Sequence, residues 1–378
     1  MSRRKSISYL YIFCAFLLAC EDPFDVPSAN SNVGILVVEG RIGDEETLIQ
    51  LSRTANLDSF SIKPEVNAVV QIENELGNVV GQLNEVEAGT YFLEMDLTIN
   101  GKYRISIQTN NQEVYHSDYR TLLLTPPISD LVVKVDTLAG TLEILLSTRD
   151  VDNNTRYYLW DYSETHQYRA RYTSRLDFDG EKLFRRSDEN QITWCWKTEH
   201  STDILSQSTI QFEEDLISNK RIIRYVLRQT EKFVIAYSIL VNQYAVSADE
   251  YEFWTLLEKN SESLGTLFDP QPSQISSNLQ CTSDPSKSVI GFIGSSTRSQ
   301  KRVFVDGRDL VRNPSKKVFC NQFTISLSQP DEIIRILSKD NFIPTVYVPE
   351  TNSVAYTTKF CADCREQGGT NVKPSFWF

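Results

Sequence analysis

Apolar and polar residues alternate with period two along most of this chain, the periodicity of strands that bury one face. Tyr91, Leu93, Met95 and Leu97 alternate with Phe92, Glu94 and Asp96, and Tyr103, Ile105 and Ile107 with Arg104, Ser106 and Gln108. Leu131, Val133 and Val135 repeat the pattern, as do Leu142, Ile144 and Leu146. A longer run of Phe233, Ile235, Tyr237, Ile239 and Val241 is mostly apolar on its other face too, which predicts a central strand. Leu76-Gly77-Asn78, Asn100-Gly101 and Asp179-Gly180 stand between runs, where glycine or asparagine permits the positive φ of a tight turn. Runs spaced about ten residues apart with such punctuation predict β-sandwiches.

Helical spacing interrupts the alternation at two places. Ser247-Ala248-Asp249-Glu250 has the form of a capping box, Tyr251, Trp254 and Leu257 follow three apart, and Gly265 suits the far end. These predict a helix near residues 248–262. Pro330, with Ile333, Ile334 and Leu337 behind it, predicts a shorter helix over Asp331–Ser338, and Ser201 to Lys220 reads as a further short one. Thr125-Pro126-Pro127 is the clearest boundary and divides residues 33–127 from 128–378. Gly89-Thr90-Tyr91 and Gly101-Lys102-Tyr103 in the first part resemble the transthyretin-like sandwich of carboxypeptidase regulatory-like modules, and the second part opens like a fibronectin type III strand pair. The expected fold class is mainly β, in two β-sandwich-like domains. The N-terminal one is transthyretin-like or Ig-like; the second is fibronectin III-like with one or two helices.

The first twenty residues obey a different rule. Arg3, Arg4 and Lys5 precede a run from Ile7 to Ala19 that is apolar except for Ser8. At 1.5 Å per residue this run spans about 20 Å, short of the roughly 30 Å of a bilayer core. It has the shape of a secretory signal peptide, residues 1–19. Leu17-Leu18-Ala19-Cys20 resembles the bacterial lipobox, which implies lipidation (palmitate among the acyl chains) of Cys20 as the mature first residue. Acyl chains would then be the only membrane anchor, each contributing about 0.8 kcal/mol per buried CH₂. No later run approaches the length of a membrane-spanning helix. Residues 20–32, with Pro23, Pro27, Ser28 and Asn30, read as a lipidated tether. Its Glu21, Asp22 and Asp25 resemble the export signal of surface lipoproteins in Bacteroidota. The expected location is therefore the outer membrane, lipid-anchored and surface-exposed.

Charge narrows the partners. The net charge is −12, and loss of Arg3, Arg4 and Lys5 with the signal takes it to −15. That balance argues against nucleic acid, whose phosphates attract basic faces. A hydrophobic content of 40% is too high for a wholly disordered chain.

Several segments together resemble a family of Bacteroidota outer-membrane lipoproteins, domain-of-unknown-function family 4249. They are Leu36-Val37-Val38-Glu39-Gly40, Leu51-Ser52-Arg53-Thr54, Tyr237-Ser238-Ile239 through Gln243-Tyr244, Phe268-Asp269-Pro270-Gln271-Pro272-Ser273, and Cys361-Ala362-Asp363-Cys364-Arg365 with the closing Phe376-Trp377. The resemblance implies an accessory lipoprotein of the kind encoded beside TonB-dependent outer-membrane transporters, and it carries over no catalytic residue.

The mature chain keeps Cys195, Cys281, Cys320, Cys361 and Cys364. In an oxidising envelope these five are structural disulfide candidates, two bridges and one thiol. A zinc site at Cys361-x-x-Cys364 would need two further ligands and finds no second such pair; a redox role would need a thioredoxin-like βαβ setting. Asp150-Val151-Asp152-Asn153-Asn154 begins like a calcium loop. Thr155 then replaces the needed glycine and Asp161 the final glutamate, so an Asx-rich turn is the simpler reading. Nucleophile-elbow, zincin and P-loop motifs are missing, and His116, His166 and His200 fall on separate segments, so no enzyme, cofactor or metal is expected. Trp194-Cys195-Trp196, Tyr157-Tyr158-Leu159-Trp160, Trp254 and Phe376-Trp377-Phe378 are core aromatics or, where exposed, contact residues. Asp269-Pro270-Gln271-Pro272 forms a rigid candidate contact loop.

The expected function is an accessory or binding subunit, with a TonB-dependent transporter as its partner. A structural or assembly subunit without small ligand comes second, and a secreted hydrolase third. Mass mapping of the native mature protein will find no zinc and at most one free thiol; a stoichiometric metal or additional thiols would refute the cysteine reading.

Overall fold

The computed structural model describes residues 34–55, 63–262, 277–308, 310 and 319–378. Cys20, the tether and Asp269-Pro270-Gln271-Pro272 lie outside the described residues. The protein is mainly β, as the alternation requires.

The first sandwich grows from one hydrogen-bonded path that folds over on itself. The strand Val79–Glu87 pairs through Val79–Leu83 with Val69–Asn74, and through Asn84–Glu87 with Thr90–Glu94. On one side the path runs on to Lys102–Gln108 and Val114–Ser117; on the other it runs to Glu46–Arg53 and Leu36–Ile42. Leu36, Val38, Ile49 and Leu51 from one half meet Val70, Ile72, Ile105 and Ile107 from the other in a single core. The turns expected at Gly77 and Asn100 are present, with φ of +77° and +65°.

The second sandwich stacks two sheets. Ile128–Asp136, Thr141–Arg149 and Leu216–Val226 make one; Trp194–His200, Tyr157–Arg169, Ala236–Ala245 and Arg298–Asp306 make the other, with Leu205–Ser208 on the edge of Tyr157–Arg169. Leu142, Ile144 and Leu146 pack against Tyr158, Trp160, Ile239 and Val241. Ala236–Ala245 is central, as its two apolar faces predict, but it begins at Ala236, and Phe233 packs on Tyr237 from the preceding turn. A small sheet of Phe323–Ser326, Ser353–Thr358 and Phe342–Val348 follows, covered by the helix Pro330–Leu337 close to its expected position.

Two expectations are corrected. Residues 201–220 form no helix. They supply the strand Leu205–Ser208 and the start of Leu216–Val226, because the edges of Tyr157–Arg169 and Thr141–Arg149 offer ladder partners that a helix would leave unpaired. Nor does the chain keep to a division after residue 127. Leu279–Cys281 pairs with Val114–Ser117, and Val289–Ser295 runs parallel to Leu36–Ile42, so residues from the second part complete the first sandwich. Gly291 allows that close approach. It has φ +128°, and a Cβ there would sit 1.8 Å from the Val38 carbonyl oxygen.

The chain thus passes from the first sandwich to the second at Thr125–Pro127 and, after returning to the first for Leu279–Cys281 and Val289–Ser295, again at Ser296–Thr297, and these two outward crossings are bonded together. Thr125 donates its N–H to Thr297 Oγ1 at 2.8 Å and its hydroxyl to the Thr297 carbonyl at 2.5 Å. The same hydroxyl accepts from the Ala245 N–H at 2.9 Å. Behind it, buried Gln243 donates to the Pro126 carbonyl at 2.8 Å and to Thr148 Oγ1 at 2.9 Å, and accepts from Trp160 Nε1 at 2.9 Å. Replacing Gln243 with leucine leaves three buried polar groups without this partner. The expected loss is at least about 2–3 kcal/mol, read as a lower urea midpoint at an unchanged m value. An unaltered midpoint would show that the junction does not depend on this amide.

Candidate functional site

Strand pairing beside the crossings builds a cleft of about 490 Å³. Its floor is the face of the second sheet turned away from the Trp160 core. Leu159 pairs with Tyr244 and Tyr244 with Arg298; two residues along, Asp161 pairs with Asn242 and Asn242 with Gln300. The second of these rows is a hydrogen-bonded relay. Gln300 Nε2 donates to Asn242 Oδ1 at 2.8 Å, and Asn242 Nδ2 donates to Asp161. Residues 201–204, joining Trp194–His200 to Leu205–Ser208, stand at one rim, and Trp254 of the helix Ala248–Glu262 stands among the walls. The Trp254 Nε1–H is buried and has no hydrogen-bond partner.

The first sandwich supplies the facing wall, the turn between Leu36–Ile42 and Glu46–Arg53. Arg41 reaches across from it. Its guanidinium lies 4.6 Å from the Tyr244 ring centroid, bonds Ser296 Oγ at 3.1 Å, and pairs with Glu250, which is 3% exposed. Arg298 pairs with Glu46 from the opposite direction at 2.5 Å. Burial first, and then the Asp161 charge, push the Tyr244 hydroxyl upward, so it stays a protonated donor. Glu250 reads in sequence as the last member of a capping box. In the fold its carboxylate is committed to Arg41, and Ser247 bonds Asp249 Oδ1 at 2.5 Å. A cation 209 residues away has no local signature.

A second hollow, about 520 Å³, lies at the other end of the same sheet among His166, Lys197, Glu199 and Lys232. Its charges are already matched. Glu164 accepts from Tyr225 at 2.5 Å, from Tyr237, and from Lys232 at 2.6 Å; Glu199 takes Lys232 at 2.8 Å and Lys197 at 2.9 Å. Those two ammonium groups hold the Glu199 carboxyl at about 2. Burial holds the His166 imidazole at about 4, and its Nδ1 has no hydrogen-bond partner.

The other expected residues are dispersed. Cys195 bonds Cys364 and Cys320 bonds Cys361, while Cys281 is a buried thiol, so each member of the Cys-x-x-Cys pair staples a different distant segment. In the chain-entropy account each long loop contributes roughly 3–5 kcal/mol. Asp150 uses its oxygens on the N–H groups of Asp152, Asn154 and Thr155, the geometry of an Asx turn. His116 lies in the first sandwich, 3.1 Å from the Thr282 hydroxyl, and His200 is opposite Ser163. Tyr158, Trp160, Trp196 and Trp377 are core; Trp194 and Phe378 are exposed. Among the described residues no group of three or more His, Cys, Asp or Glu is placed to hold a metal ion.

Fold and cleft together define a class: a mainly β protein in which two sandwiches enclose a polar, aromatic-walled recess at their junction. The chain belongs to the family described as a domain of unknown function (DUF4249), whose model matches residues 21–302. No curated protein matches it. Among solved structures it is similar to the BSP domain of a biofilm-associated protein, at 12% identity and TM-score 0.19 over 56% of this chain and 27% of that one. It is also similar to a chain of a cytokine receptor complex, at 8% and 0.19 over 56% and 89%. A third is trypsin-activated alpha-2-macroglobulin from Escherichia coli, at 10% and 0.16 over 60% and 15%. Likenesses this low carry no functional argument.

The buried imidazole has a measurable consequence. Between the ordinary histidine value of 6.5 and the folded value of about 4, the unfolded chain binds a proton that folded His166 does not. This contribution to stability is complete above 6.5 and is lost as pH falls toward 4. His166→Gln should flatten the dependence of unfolding free energy on pH across that window, as measured by urea titrations at several pH values. An unchanged slope would refute a neutral buried imidazole.

Proposed function

We propose that this protein is a lipid-anchored lipoprotein of the outer membrane, facing outward, that serves as an accessory or binding subunit of a TonB-dependent transporter. The observation that carries the binding role is the junctional cleft. Its floor presents amide and carboxylate side chains in register, and its walls include Trp254. Recesses with converging polar groups and an aromatic wall between two structural units are common ligand sites. The lipobox-like Leu17-Leu18-Ala19-Cys20 and the acidic tether support the location. In mechanism, acyl chains on Cys20 would confine the protein to the membrane plane and raise its effective concentration near a transporter in the same membrane. The cleft would take the solute, and exposed loops would make the protein contact.

A second reading, an assembly subunit without small ligand, draws on the apolar groups left at the surface. Phe378 is 74% exposed and Phe319 97%. Gentle affinity purification of the tagged, lipidated protein from solubilised outer membranes, followed by mass spectrometry, separates the two. A near-stoichiometric TonB-dependent transporter is the expected companion. Recovery of the protein alone would overturn the accessory role, and recovery with other envelope proteins would favour the assembly reading. Cys20→Ala should move the protein out of the membrane fraction.

A further inference from the structure

The charges around the cleft point to the chemistry of its occupant, an inference that rests on reading the cleft as a binding site. Asp44, Glu45, Glu46, Asp161 and Asp203 line it, against two guanidinium groups, Arg41 and Arg298. Both cations are already matched, Arg41 by Glu250 and Arg298 by Glu46. Asp44, Glu45, Asp161 and Asp203 make no ion pair among the described residues, and they come from three segments of the chain that all border this recess. Apolar surface lies between them, from Leu48, Leu159, Ile204 and Trp254.

We propose that the cleft takes a cationic solute with an apolar body, an ammonium- or guanidinium-bearing molecule of dipeptide size. The volume of about 490 Å³ suits such a ligand. The cleft already holds one example of the arrangement, since the Arg41 guanidinium lies over the Tyr244 ring with Glu250 beside it. A ligand cation between Asp161 and Asp203 would repeat this pairing, with its apolar part against Trp254 and Leu159. An anionic ligand would meet four unneutralised carboxylates, and the chain's net charge of −12 extends that field outward.

The test uses the mature lipidated protein in detergent and calorimetric titration with three probes: acetyl-Phe-Arg-amide, its neutral counterpart acetyl-Phe-Gln-amide, and maltotriose. The arginine peptide should bind at least about tenfold more tightly than the glutamine peptide and weaken as salt rises from about 50 to about 500 mM. The double variant Asp161→Asn, Asp203→Asn should lose that preference, and Trp254→Ala should weaken both peptides alike. Each variant is first matched to the native protein in its urea midpoint. Equal binding of the two peptides, or a preference that survives the double variant, would overturn the proposal while leaving the binding role intact. Maltotriose bound in place of both peptides would do the same. Heat from none of the three would overturn the proposal and remove support for the cleft as a binding site.

Discussion

The relation between the two sandwiches depends on two chain crossings that must share one buried place. Thr125 and Thr297 lie on segments that both pass from one sandwich to the other, and each brings backbone groups that water cannot reach. The fold resolves this by having the crossings satisfy one another, with the Thr125 hydroxyl both donating and accepting. Gln243 then saturates its amide on Pro126, Thr148 and Trp160. Hydrogen bonds of this kind contribute modestly when made and cost much when broken. They tie the sandwiches together at one relative position, and the cleft is the space that this position leaves open.

Arg41 shows how the cleft inherits its character from that constraint. It stands at the end of a strand of the first sandwich, yet its three partners, Tyr244, Glu250 and Ser296, all lie well over a hundred residues on in the chain. Removing the guanidinium would leave Glu250 a nearly buried carboxylate without its cation, the costly half of a buried pair. The pair therefore holds the Ala248–Glu262 helix, and with it Trp254, to the opposite wall. The hollow near His166 is built on another logic, because its lysines and glutamates neutralise one another and leave little net charge for a ligand to meet.

The strands around Tyr91, Tyr103, Leu131, Leu142 and Ile239, the two helices and their turns were legible because each depends on local periodicity or on a residue with special backbone freedom. Tyr103 to Ile107 alternate, and Gly77 and Asn100 take positive φ where the turns were expected. Residues 201–220 misled because their composition has no strong period and their strands form only against edges supplied from elsewhere. Glu250 misled more instructively. Its spacing from Ser247 satisfies a local rule, but a long-range cation outcompetes the helix end for its carboxylate. Cys361 and Cys364 likewise suggest a unit by their spacing, while the fold sends them to Cys320 and Cys195. Of the cleft, Trp254 was visible as an aromatic of undecided fate. The row of Gln300, Asn242 and Asp161 was not visible at all, since register between strands far apart in sequence is a property of the assembled sheet.

The strand Leu36–Ile42 is the first regular element described in the chain, and it is an inner one, held between Glu46–Arg53 and Val289–Ser295 in unbroken register. Its place gives the molecule a mechanical direction. Tension applied to Gly34 along the axis of this strand would load both ladders in shear, so that many hydrogen bonds would have to yield together instead of opening one at a time. The parallel neighbour continues through Ser296 and Thr297 into the sheet that floors the cleft. A pull in that direction would be carried into both sandwiches through hydrogen-bonded backbone.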